Sequence, residues 1–432
     1  MNQVLIPGKN WKLSLAELIL FLEARRATFK VRGFSREFFV IQTDEKTSPF
    51  DAANLGGNIK IGALGKTIPT ELFVKAFVEK EREARNQIAE EAISSIVPSE
   101  ILEKALSKYL FGVSVYCSAE PLRPLASSIQ RFIGSSIKGE LADRGVKSEF
   151  MGFPRSRGQP QLTHVEVLKR NLVENKAEVL LCIDKIQSWL GITSGVHDPF
   201  EFQKRDVGKP NQRKIFAIPP RLARIMVNLS GCTPGKVLID PFCGVGTILQ
   251  EALLSKAQVI GVDANRWCVE AATENLEWLR EEYAIRGREF RVLKGDALKL
   301  RSIVGLDIDC IATEPDLGPA LKDIPTAAYA RKIVEKLTPL YFGFLKEAYG
   351  ILGKDGRLVI VTPCLRTRSG KPIAMHIEKK AEEVGFKIIY PFGNNEIFES
   401  YDNVKEDMRI MRRFVDMAEW HKTGREIHVF QK

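Results

Sequence analysis

The stretch KVLIDPFCGVGTIL, Lys236–Leu249, decides the fold of the chain. Its first four residues predict the start of a buried strand, which Asp240 and the following proline end. Gly244 and Gly246 then open a tight loop, and Thr247 begins an apolar run with helical spacing. A strand, a glycine-rich loop and a helix form the first half of a βαβ unit, whose ligand site lies at the carboxyl end of the strand.

The residues of this loop indicate the class of ligand that it binds. A dinucleotide-binding loop would carry a third glycine where this chain has Leu249, and Asp240 would repel a pyrophosphate. A carboxylate beside bare backbone suits a ligand with an ammonium group, such as the methionine part of S-adenosylmethionine. We therefore expect a methyl-donor site rather than a dinucleotide site.

Two further acids follow the next predicted strands. A carboxylate at Asp263, in VIGVDAN, can accept hydrogen bonds from both ribose hydroxyls, and Asp296, in VLKGDAL, can accept one from the adenine amino group. The alternative is three ordinary carboxylates of surface loops, but their order and the strand–loop–helix context favour the donor site. The predicted donor residues are Asp240, Phe242, Gly244, Gly246, Thr247, Asp263, Ala264, Asp296, Ala297 and Thr313.

Composition limits the class of protein. The 432 residues suggest two or three domains, and the apolar fraction of 44% predicts a globular fold. No apolar run is long enough for a membrane span, and the first residues lack the apolar core of a signal peptide, so we expect a cytoplasmic protein. The seven cysteines include no C-x-x-C pair, so neither a disulfide framework nor a metal site is predicted. The net charge of +10 favours an anionic partner such as nucleic acid, although charge alone is weak evidence.

Strands and helices alternate in two regions of the amino-terminal half. Residues 1–95 and 96–192 each read as an α+β unit, and the first shows no catalytic cluster. Lys138 lies on a predicted helix of the second unit, and Arg155 and Arg157 lie in a basic loop of the same unit. These three residues are candidate phosphate contacts. For the two loop residues, a basic loop that is only solvated is an equally good explanation.

A basic connector, predicted over residues 193–217, precedes the last domain. The stretch Glu201–Ile225 carries seven basic residues against two acidic ones, a net charge of +5. We expect this stretch to lie against the last domain and to face backbone phosphate through Lys204, Arg205 and Arg213.

Residues 218–432 predict a doubly wound α/β sheet, with five βα units followed by two closing strands. The predicted strands are Lys236–Phe242, Gln258–Asp263, Phe290–Leu293, Ile308–Thr313, Arg357–Thr362, Phe386–Tyr390 and Glu426–Phe430. The topological switch point places a ligand beyond the carboxyl ends of the first, second and fourth of these strands.

The fourth strand ends in TEPDLGP, where a methyl acceptor is expected. An amino nitrogen conjugated to a base is a poor nucleophile, and acceptors that hold its N–H groups allow its lone pair to turn toward the methyl group. Glu314 and the carbonyl of Pro315 are the candidate acceptors. The alternative is that Glu314 is an acid in a turn before proline, without a chemical role. The position of Glu314 directly after the strand favours a functional role.

Several motifs together resemble the archaeal and eukaryotic THUMP-domain tRNA guanosine-N2 methyltransferases, which modify the guanosine at the tenth tRNA position. These motifs are DPFCGVGTIL, KRDVGKP (Lys204–Pro210), IPPRLARIMVNL (Ile218–Leu229), LGGNIKIG (Leu55–Gly62) and GREIHVF (Gly424–Phe430). The resemblance implies a ferredoxin-like region over residues 1–95, a THUMP domain over 96–192 that holds the tRNA acceptor stem, and a Rossmann-like methyltransferase domain over 218–432. It also implies S-adenosylmethionine as donor, tRNA as partner and, as in eukaryotic members, a small zinc-binding activator protein.

The chain departs from this family at the acceptor motif, which usually resembles Asp/Asn-Pro-Pro-Tyr/Phe. Here the motif comprises Glu314, Pro315 and Asp316, so an acid stands where an aromatic ring is expected. Tyr329 or Phe342 of the following helix could supply a ring. The leading interpretation is a tRNA methyltransferase acting on guanosine N2. The alternatives are a non-catalytic tRNA-binding homologue that retains the donor pocket and, disfavoured by the THUMP-like front half, a DNA enzyme that methylates an amino group.

Overall fold

The computed structural model describes residues 1–44, 52–96, 108–152, 160–213, 217–287, 289–305 and 308–432. Two β-sheets, each with helices against it, organise these residues. The amino-terminal sheet has eight strands and the carboxyl-terminal sheet has nine. The predicted class, an α/β chain whose carboxyl-terminal part is a doubly wound sheet, is confirmed.

The amino-terminal sheet runs in the order β2-β3-β1-β4-β8-β7-β5-β6. Its strands are β1 (Asn2–Pro7), β2 (Phe29–Phe34), β3 (Phe39–Thr43), β4 (Asn58–Pro69), β5 (Tyr109–Cys117), β6 (Ser148–Met151), β7 (Glu178–Ile183) and β8 (Gln187–Val196). The described helices of this half are α1 (Trp11–Ala24), α2 (Thr70–Phe77), α3 (Arg82–Ile96), α4 (Ala126–Asp143) and α5 (His164–Lys169). Because β4 pairs with β8, one continuous sheet passes through both regions that the sequence predicts as separate α+β units.

A buried polar cluster joins these two regions across the sheet. Lys60 of β4 donates to the Leu162 carbonyl (2.7 Å) and forms an ion pair with Glu178 of β7. The Glu178 carboxylate also accepts hydrogen bonds from Ser114 and Thr193, both at 2.6 Å. All the side chains of this cluster are buried, and the charge of Lys60 is matched by the charge of Glu178. The stretch LGGNIKIG therefore leads into strand β4, which is held in place by the Lys60–Glu178 ion pair as well as by its pairing with β8.

The carboxyl-terminal sheet runs in the order β11-β10-β9-β12-β13-β17-β15, with β14 on β13 and β16 on β17. Its strands are β9 (Val237–Asp240), β10 (Gln258–Asp263), β11 (Phe290–Lys294), β12 (Ile308–Thr313), β13 (Leu352–Leu365), β14 (Ile373–Ala374), β15 (Lys387–Ile388), β16 (Arg413–Asp416) and β17 (Thr423–Gln431). The first five are parallel, and β17 is antiparallel to β13. The strand order reverses between β9 and β12, which places the ligand site beyond the carboxyl ends of these two strands.

Helices pack on both faces of this sheet. The described helices of this half are α6 (Pro199–Val207), α7 (Pro220–Leu229), α8 (Thr247–Leu254), α9 (Arg266–Glu282), α10 (Leu300–Val304), α11 (Ala327–Ile351), α12 (Glu378–Val384) and α13 (Glu406–Arg409). The predicted strands Gln258–Asp263 and Ile308–Thr313 are confirmed at their predicted bounds, whereas the sequence did not predict β14 and β16. These two strands have only two and four residues, too few for a periodic pattern.

The glycine turn before β4 docks the amino-terminal sheet on the carboxyl-terminal half. Buried Glu17 of α1 accepts hydrogen bonds from the backbone N–H groups of Gly56 (2.8 Å) and Gly57 (2.7 Å) and from Nδ2 of Asn228 on α7 (2.8 Å). A Cβ atom on Gly56 would lie 2.2 Å from the Arg221 carbonyl oxygen, so a side chain cannot be accommodated there. Within the described residues, every helix is too short or too polar to span a membrane.

Candidate methyl-transfer site

The glycine-rich loop between β9 and α8 folds back onto β10. The N–H of Cys243 donates to the Val262 carbonyl (3.1 Å), and the N–H of Gly246 donates to the Cys243 carbonyl (2.8 Å). Gly244 and Gly246 have φ angles of +51° and +84°, a backbone region that favours glycine. A Cβ atom on Gly246 would also lie 3.2 Å from Cβ of Ala272 on α9. The loop therefore presents bare backbone at the end of β9.

Asp240 ends β9 and is 2% exposed. Its Oδ1 accepts hydrogen bonds from Oγ1 of Thr313 (2.6 Å) and from the N–H of Phe242 (3.2 Å). Burial raises the pKa of Asp240 to about 7, although the hydrogen bond from Thr313 opposes this shift. A buried carboxylate without a cationic partner among these contacts is costly, and a positively charged ligand at this position would stabilise its charged form.

The two other predicted donor acids occupy different environments. Asp263, at the end of β10, accepts hydrogen bonds from the N–H groups of Gly244 (3.0 Å) and Asn265 (2.8 Å). Its carboxylate therefore orients the donor loop, while Ala264 beside it is exposed. Asp296 is exposed beyond the end of β11 and accepts a hydrogen bond from the N–H of Leu298 (2.9 Å), and Ala297 is buried. All three acids thus lie at the same edge of the sheet.

Glu314 follows β12 and forms a two-pronged ion pair with Arg425 of β17. The distances are 2.5 Å from Arg425 Nε to Glu314 Oε2 and 3.2 Å from Arg425 Nη2 to Glu314 Oε1. Both side chains are 10% exposed, and Arg425 also donates to the Ala217 carbonyl (3.2 Å). Burial raises the pKa of Glu314, and Arg425 opposes this shift. Arg425 lies in the GREIHVF motif. The alternation of side chains along a strand does not show which of them faces Glu314, so Arg425 was not predicted as a site residue.

The rest of the acceptor motif is divided between the interior and the surface. Pro315 is buried, whereas Asp316 is exposed. Oδ1 of Asp316 accepts a hydrogen bond from the N–H of Gly318 (2.9 Å), and its carbonyl accepts one from the hydroxyl of Tyr341 (2.9 Å). The Asp316 side chain therefore stabilises the loop after β12.

A small cleft of about 50 Å³ connects the donor loop with the acceptor motif. Of the predicted donor residues, Asp240, Phe242, Gly244 and Thr247 line it, together with Glu314 and Arg213. Thr313 and Asp263 do not line the cleft, but Thr313 donates to Asp240 and Asp263 accepts from Gly244, two residues that do. The fold thus brings together the first predicted donor acid and the predicted acceptor acid.

The predicted phosphate contacts of the connector separate into two groups. Lys204 and Arg213 are exposed, and Lys204 forms an ion pair with Glu282. Arg205 is buried and donates from Nε to Oε1 of Glu251 (2.6 Å), so it holds α6 on α8 and is not accessible to phosphate. The prediction for Arg205 is therefore wrong, because net charge does not reveal which basic residue has a buried acidic partner.

The other predicted phosphate contacts lie in the amino-terminal half. Lys138 is exposed on α4, and Arg155 and Arg157 lie outside the described residues. The sequence also missed Lys209, which is buried and donates from Nζ to Oγ1 of Thr247 (2.9 Å), at the start of the donor helix. Burial lowers the pKa of Lys209. The connector thus supports the donor loop from behind and contains helix α6. Within the described residues, no group of three or more His, Cys, Asp and Glu side chains could hold a metal ion.

Comparison with known proteins finds similarity in the carboxyl-terminal half. Residues 210–384 match the UPF0020 family, described as an RMKL-like methyltransferase domain. The chain is 36% identical over 158 residues to the tRNA (guanine(10)-N2)-dimethyltransferase of Methanothermobacter thermautotrophicus, which covers 36% of this chain and 42% of the relative. It is 33% identical over 205 residues to the enzyme of the same name from Pyrococcus abyssi, covering 47% and 54% of the two chains.

A more distant relative and a solved structure extend this comparison. The chain is 30% identical over 179 residues to the tRNA (guanine(6)-N2)-methyltransferase of Thermus thermophilus, covering 40% of this chain and 48% of that protein. In these three comparisons the chain spans about half the length of the curated relatives that it matches. The crystal structure of TrmN from Thermus thermophilus aligns with all of both chains at a TM-score of 0.52 and 16% identity, which shows a shared fold. Residues 210–384 are therefore similar to the UPF0020 methyltransferase domains, and the predicted resemblance to tRNA guanine-N2 methyltransferases is confirmed.

Proposed function

We propose that the protein transfers a methyl group from S-adenosylmethionine to the exocyclic N2 of a guanosine in tRNA. The observation that carries this proposal is the position of Glu314, whose carboxylate lines the same cleft as the donor loop. The names of the relatives support the substrate class, and the fold shared with TrmN supports the architecture.

The residues of the cleft fit such a donor. Gly244 and Gly246 leave bare backbone at the end of β9, and Asp240 offers a buried carboxylate to a cationic ligand. Asp263 lies where ribose hydroxyls are usually bound in such folds, and it is held by two backbone N–H groups. When bound, S-adenosylmethionine supplies a methyl group on a positively charged sulfur, which keeps the bonding electron pair when the S–C bond breaks.

Glu314 acts on the acceptor nitrogen in this proposal. Its carboxylate accepts a hydrogen bond from the amino group, which orients the nitrogen lone pair toward the methyl group. The lone pair forms the new N–C bond, and the nitrogen releases one proton to Glu314 and then to water. The pKa of Glu314, raised by burial, makes this carboxylate a better proton acceptor than an exposed glutamate. Arg425 holds both carboxylate oxygens and is the positioning residue.

The exposed basic residues provide the RNA-facing surface. Lys204 and Arg213 are exposed on the connector, and Arg213 lies at the mouth of the cleft. Lys138 is exposed on the amino-terminal half, which we assign to a ferredoxin-like region (1–95) and a THUMP domain (96–192) before the connector (193–217) and the catalytic domain (218–432). A zinc-binding activator protein and a cytoplasmic location remain predictions from the resemblance and the composition.

Transfer of a labelled methyl group tests the proposal. The protein is incubated with tritiated S-adenosylmethionine and bulk tRNA, and the RNA is digested to nucleosides. Label in N2-methylguanosine or N2,N2-dimethylguanosine is expected, and duplex DNA should receive none. Donor binding without label in any nucleoside would contradict the proposal, and label in a DNA base would replace it with the amino-methylating DNA enzyme.

A non-catalytic tRNA-binding protein is the second candidate function. It is favoured by Asp316, an exposed acid where the related motif carries an aromatic ring. This candidate predicts binding of both donor and tRNA without methyl transfer. A single RNA nucleoside that carries label from the donor would exclude it.

A further inference from the structure

The turn between β16 and β17, residues 417–422, exposes a tryptophan. Trp420 is 72% exposed, the largest exposed fraction of any large apolar side chain among the described residues. Its indole ring lies 5.8 Å from the ring of His421, with their planes at 82°. An aromatic side chain this exposed gains little from the fold, so it is a candidate for contact with a partner.

The topology places this turn at the ligand edge of the sheet. Strand β17 is antiparallel to β13, so its first residues lie at the carboxyl ends of the parallel strands. Arg425 is the third residue of β17. It bonds to Glu314 and is paired in register with Asp416 of β16. The turn that joins β16 to β17 therefore projects from the same edge as the acceptor motif.

Direct bonds hold this turn beside the loop that follows the acceptor motif. Nζ of Lys422 donates to the carbonyl of Leu321 (3.1 Å) and also to that of Lys322. Nη2 of Arg366, just after β13, donates to the Ala418 carbonyl (3.2 Å). Trp420 is thus presented by a turn that is fixed at both sides, next to the loop that starts at Glu314.

The amino-terminal region adds a positive charge to the exposed ring. Nζ of Lys9, between β1 and α1, lies 5.8 Å from the centroid of the Trp420 ring. Asn10 donates from Nδ2 to the Val415 carbonyl of β16 (3.0 Å), which fixes this segment against the hairpin. An aromatic plane with an adjacent ammonium group matches an unpaired nucleobase and its phosphate.

The two rings considered from the sequence are less well placed. Phe342 is partly buried and packs against the core between α11 and the sheet. Tyr329 is 50% exposed but lines a separate pocket with Pro319–Thr326 and Arg368. Of these aromatic side chains, Trp420 is the one on the hairpin that also carries the partner of Glu314.

We propose that Trp420, together with Lys9, forms a stacking platform for an unpaired nucleobase of the substrate RNA at the acceptor side of the cleft. The platform supplies the ring that Asp316 does not provide. This inference rests on the proposed function, because it assumes that RNA enters the cleft toward Glu314.

Binding of bulk tRNA to the full chain, followed through tryptophan fluorescence, tests the platform without requiring activity. Stacking of a base on the exposed indole should quench the emission of the wild type, and Trp420→Phe should lose that part of the quenching while keeping most of the affinity. Trp420→Ala should bind tRNA about 5- to 100-fold more weakly, the range expected for one lost base stack. Tyr329→Ala is the matched control and should bind tRNA as the wild type does.

The outcomes separate this inference from the proposed function. S-adenosylmethionine binding should be equal in all variants, which shows that each is folded. Weakened tRNA binding in Trp420→Ala supports the platform even if no methyl transfer is found. If the wild type methylates tRNA and Trp420→Ala binds and methylates equally well, the platform is overturned and the proposed function stands. Loss of tRNA binding in Tyr329→Ala alone, or no tRNA binding by the wild type, would also overturn it.

Discussion

The two sheets bury their acidic side chains in different ways. Glu178, in the amino-terminal sheet, is fully buried, and Lys60, Ser114 and Thr193 satisfy both of its oxygens. Glu314, at the edge of the carboxyl-terminal sheet, has one cationic partner, Arg425, and lines an open cleft. The Glu178 site has no room for a substrate, whereas the Glu314 site retains an accessible face.

This difference distinguishes a structural carboxylate from a functional one. A closed polar network fixes one arrangement of the chain, and removing one partner leaves an uncompensated buried charge. A carboxylate at a cleft can still exchange hydrogen bonds with a ligand, and its raised pKa suits proton acceptance. Substitution should therefore affect stability at Glu178 and chemistry at Glu314.

The largest effect is expected for Glu314→Gln. This change keeps the shape of the side chain but removes the charge and the proton acceptor. Methyl transfer to tRNA should fall by about 100- to 10,000-fold, with S-adenosylmethionine binding retained. Single-turnover transfer of label measures the rate. A rate within threefold of the wild type would show that Glu314 is a structural carboxylate like Glu178.

The matched change at the other sheet, Glu178→Gln, should act on stability. The charge of Lys60 would lose its buried counter-charge, which lowers the free energy of unfolding by about 3–5 kcal/mol. Urea unfolding measures this value, and methyl transfer per folded molecule should be unchanged. The double variant Lys60→Met/Glu178→Leu should recover most of the loss. A stability equal to that of the wild type in Glu178→Gln would contradict the structural role.

Asp240→Asn should make the protein more stable at high pH. Burial raises the pKa of Asp240 to about 7 from an ordinary value of 3.8. Well below pH 3.8 this group is neutral in both the folded and the unfolded protein. As pH rises toward 7, the Asp240 carboxyl group ionises in the unfolded chain but stays largely protonated in the folded protein. The wild type therefore loses stability that the amide variant keeps. Above pH 7 the variant should be more stable by about 1–4 kcal/mol.

Thermal unfolding of the donor-free protein between pH 4 and pH 8 checks this expectation. The stability difference between Asp240→Asn and the wild type should grow with pH and level off above pH 7. S-adenosylmethionine should bind more weakly to the variant. A pH-independent difference in stability between the two proteins would show that burial does not raise the pKa of Asp240.

The smallest effect concerns the exposed cations of the connector. Lys204→Ala and Arg213→Ala should each reduce the slope of log affinity for tRNA against log salt by about 0.7–0.9, the value of one phosphate contact. Lys354→Ala, an exposed lysine at the opposite edge of the carboxyl-terminal sheet, is the control and should leave the slope unchanged. Equal slopes in all three variants would show that Lys204 and Arg213 do not contact phosphate and are ordinary solvated side chains.

Local patterns were sufficient to predict much of the carboxyl-terminal fold. Strand Gln258–Asp263, the glycine loop and the order of the strand-end acids follow from apolar runs and turn residues that are contiguous in sequence. The pairing of β4 with β8 could not be predicted, because it joins residues more than 100 positions apart through a register that no local pattern encodes.

The candidate site was predictable only in part for the same reason. Glu314 and Asp240 could be placed because each lies near the carboxyl end of a predicted strand. The Arg425 partner of Glu314 is 111 residues away in sequence, and the burial of Arg205 depends on Glu251 on another helix. Such pairings follow from the tertiary fold rather than from spacing or net charge.

The pH dependence of methyl transfer in the wild type and in Arg425→Gln tests the central claim most directly. Arg425 opposes the rise in the pKa of Glu314 that burial causes, so its removal should raise this pKa further. With saturating S-adenosylmethionine and tRNA, the acid limb of the rate should move to higher pH in Arg425→Gln. Arg425→Lys, which keeps the charge, should show little of this shift. Identical acid limbs in active Arg425→Gln and wild type would contradict the assignment of Glu314 as the carboxylate that receives the acceptor amino group.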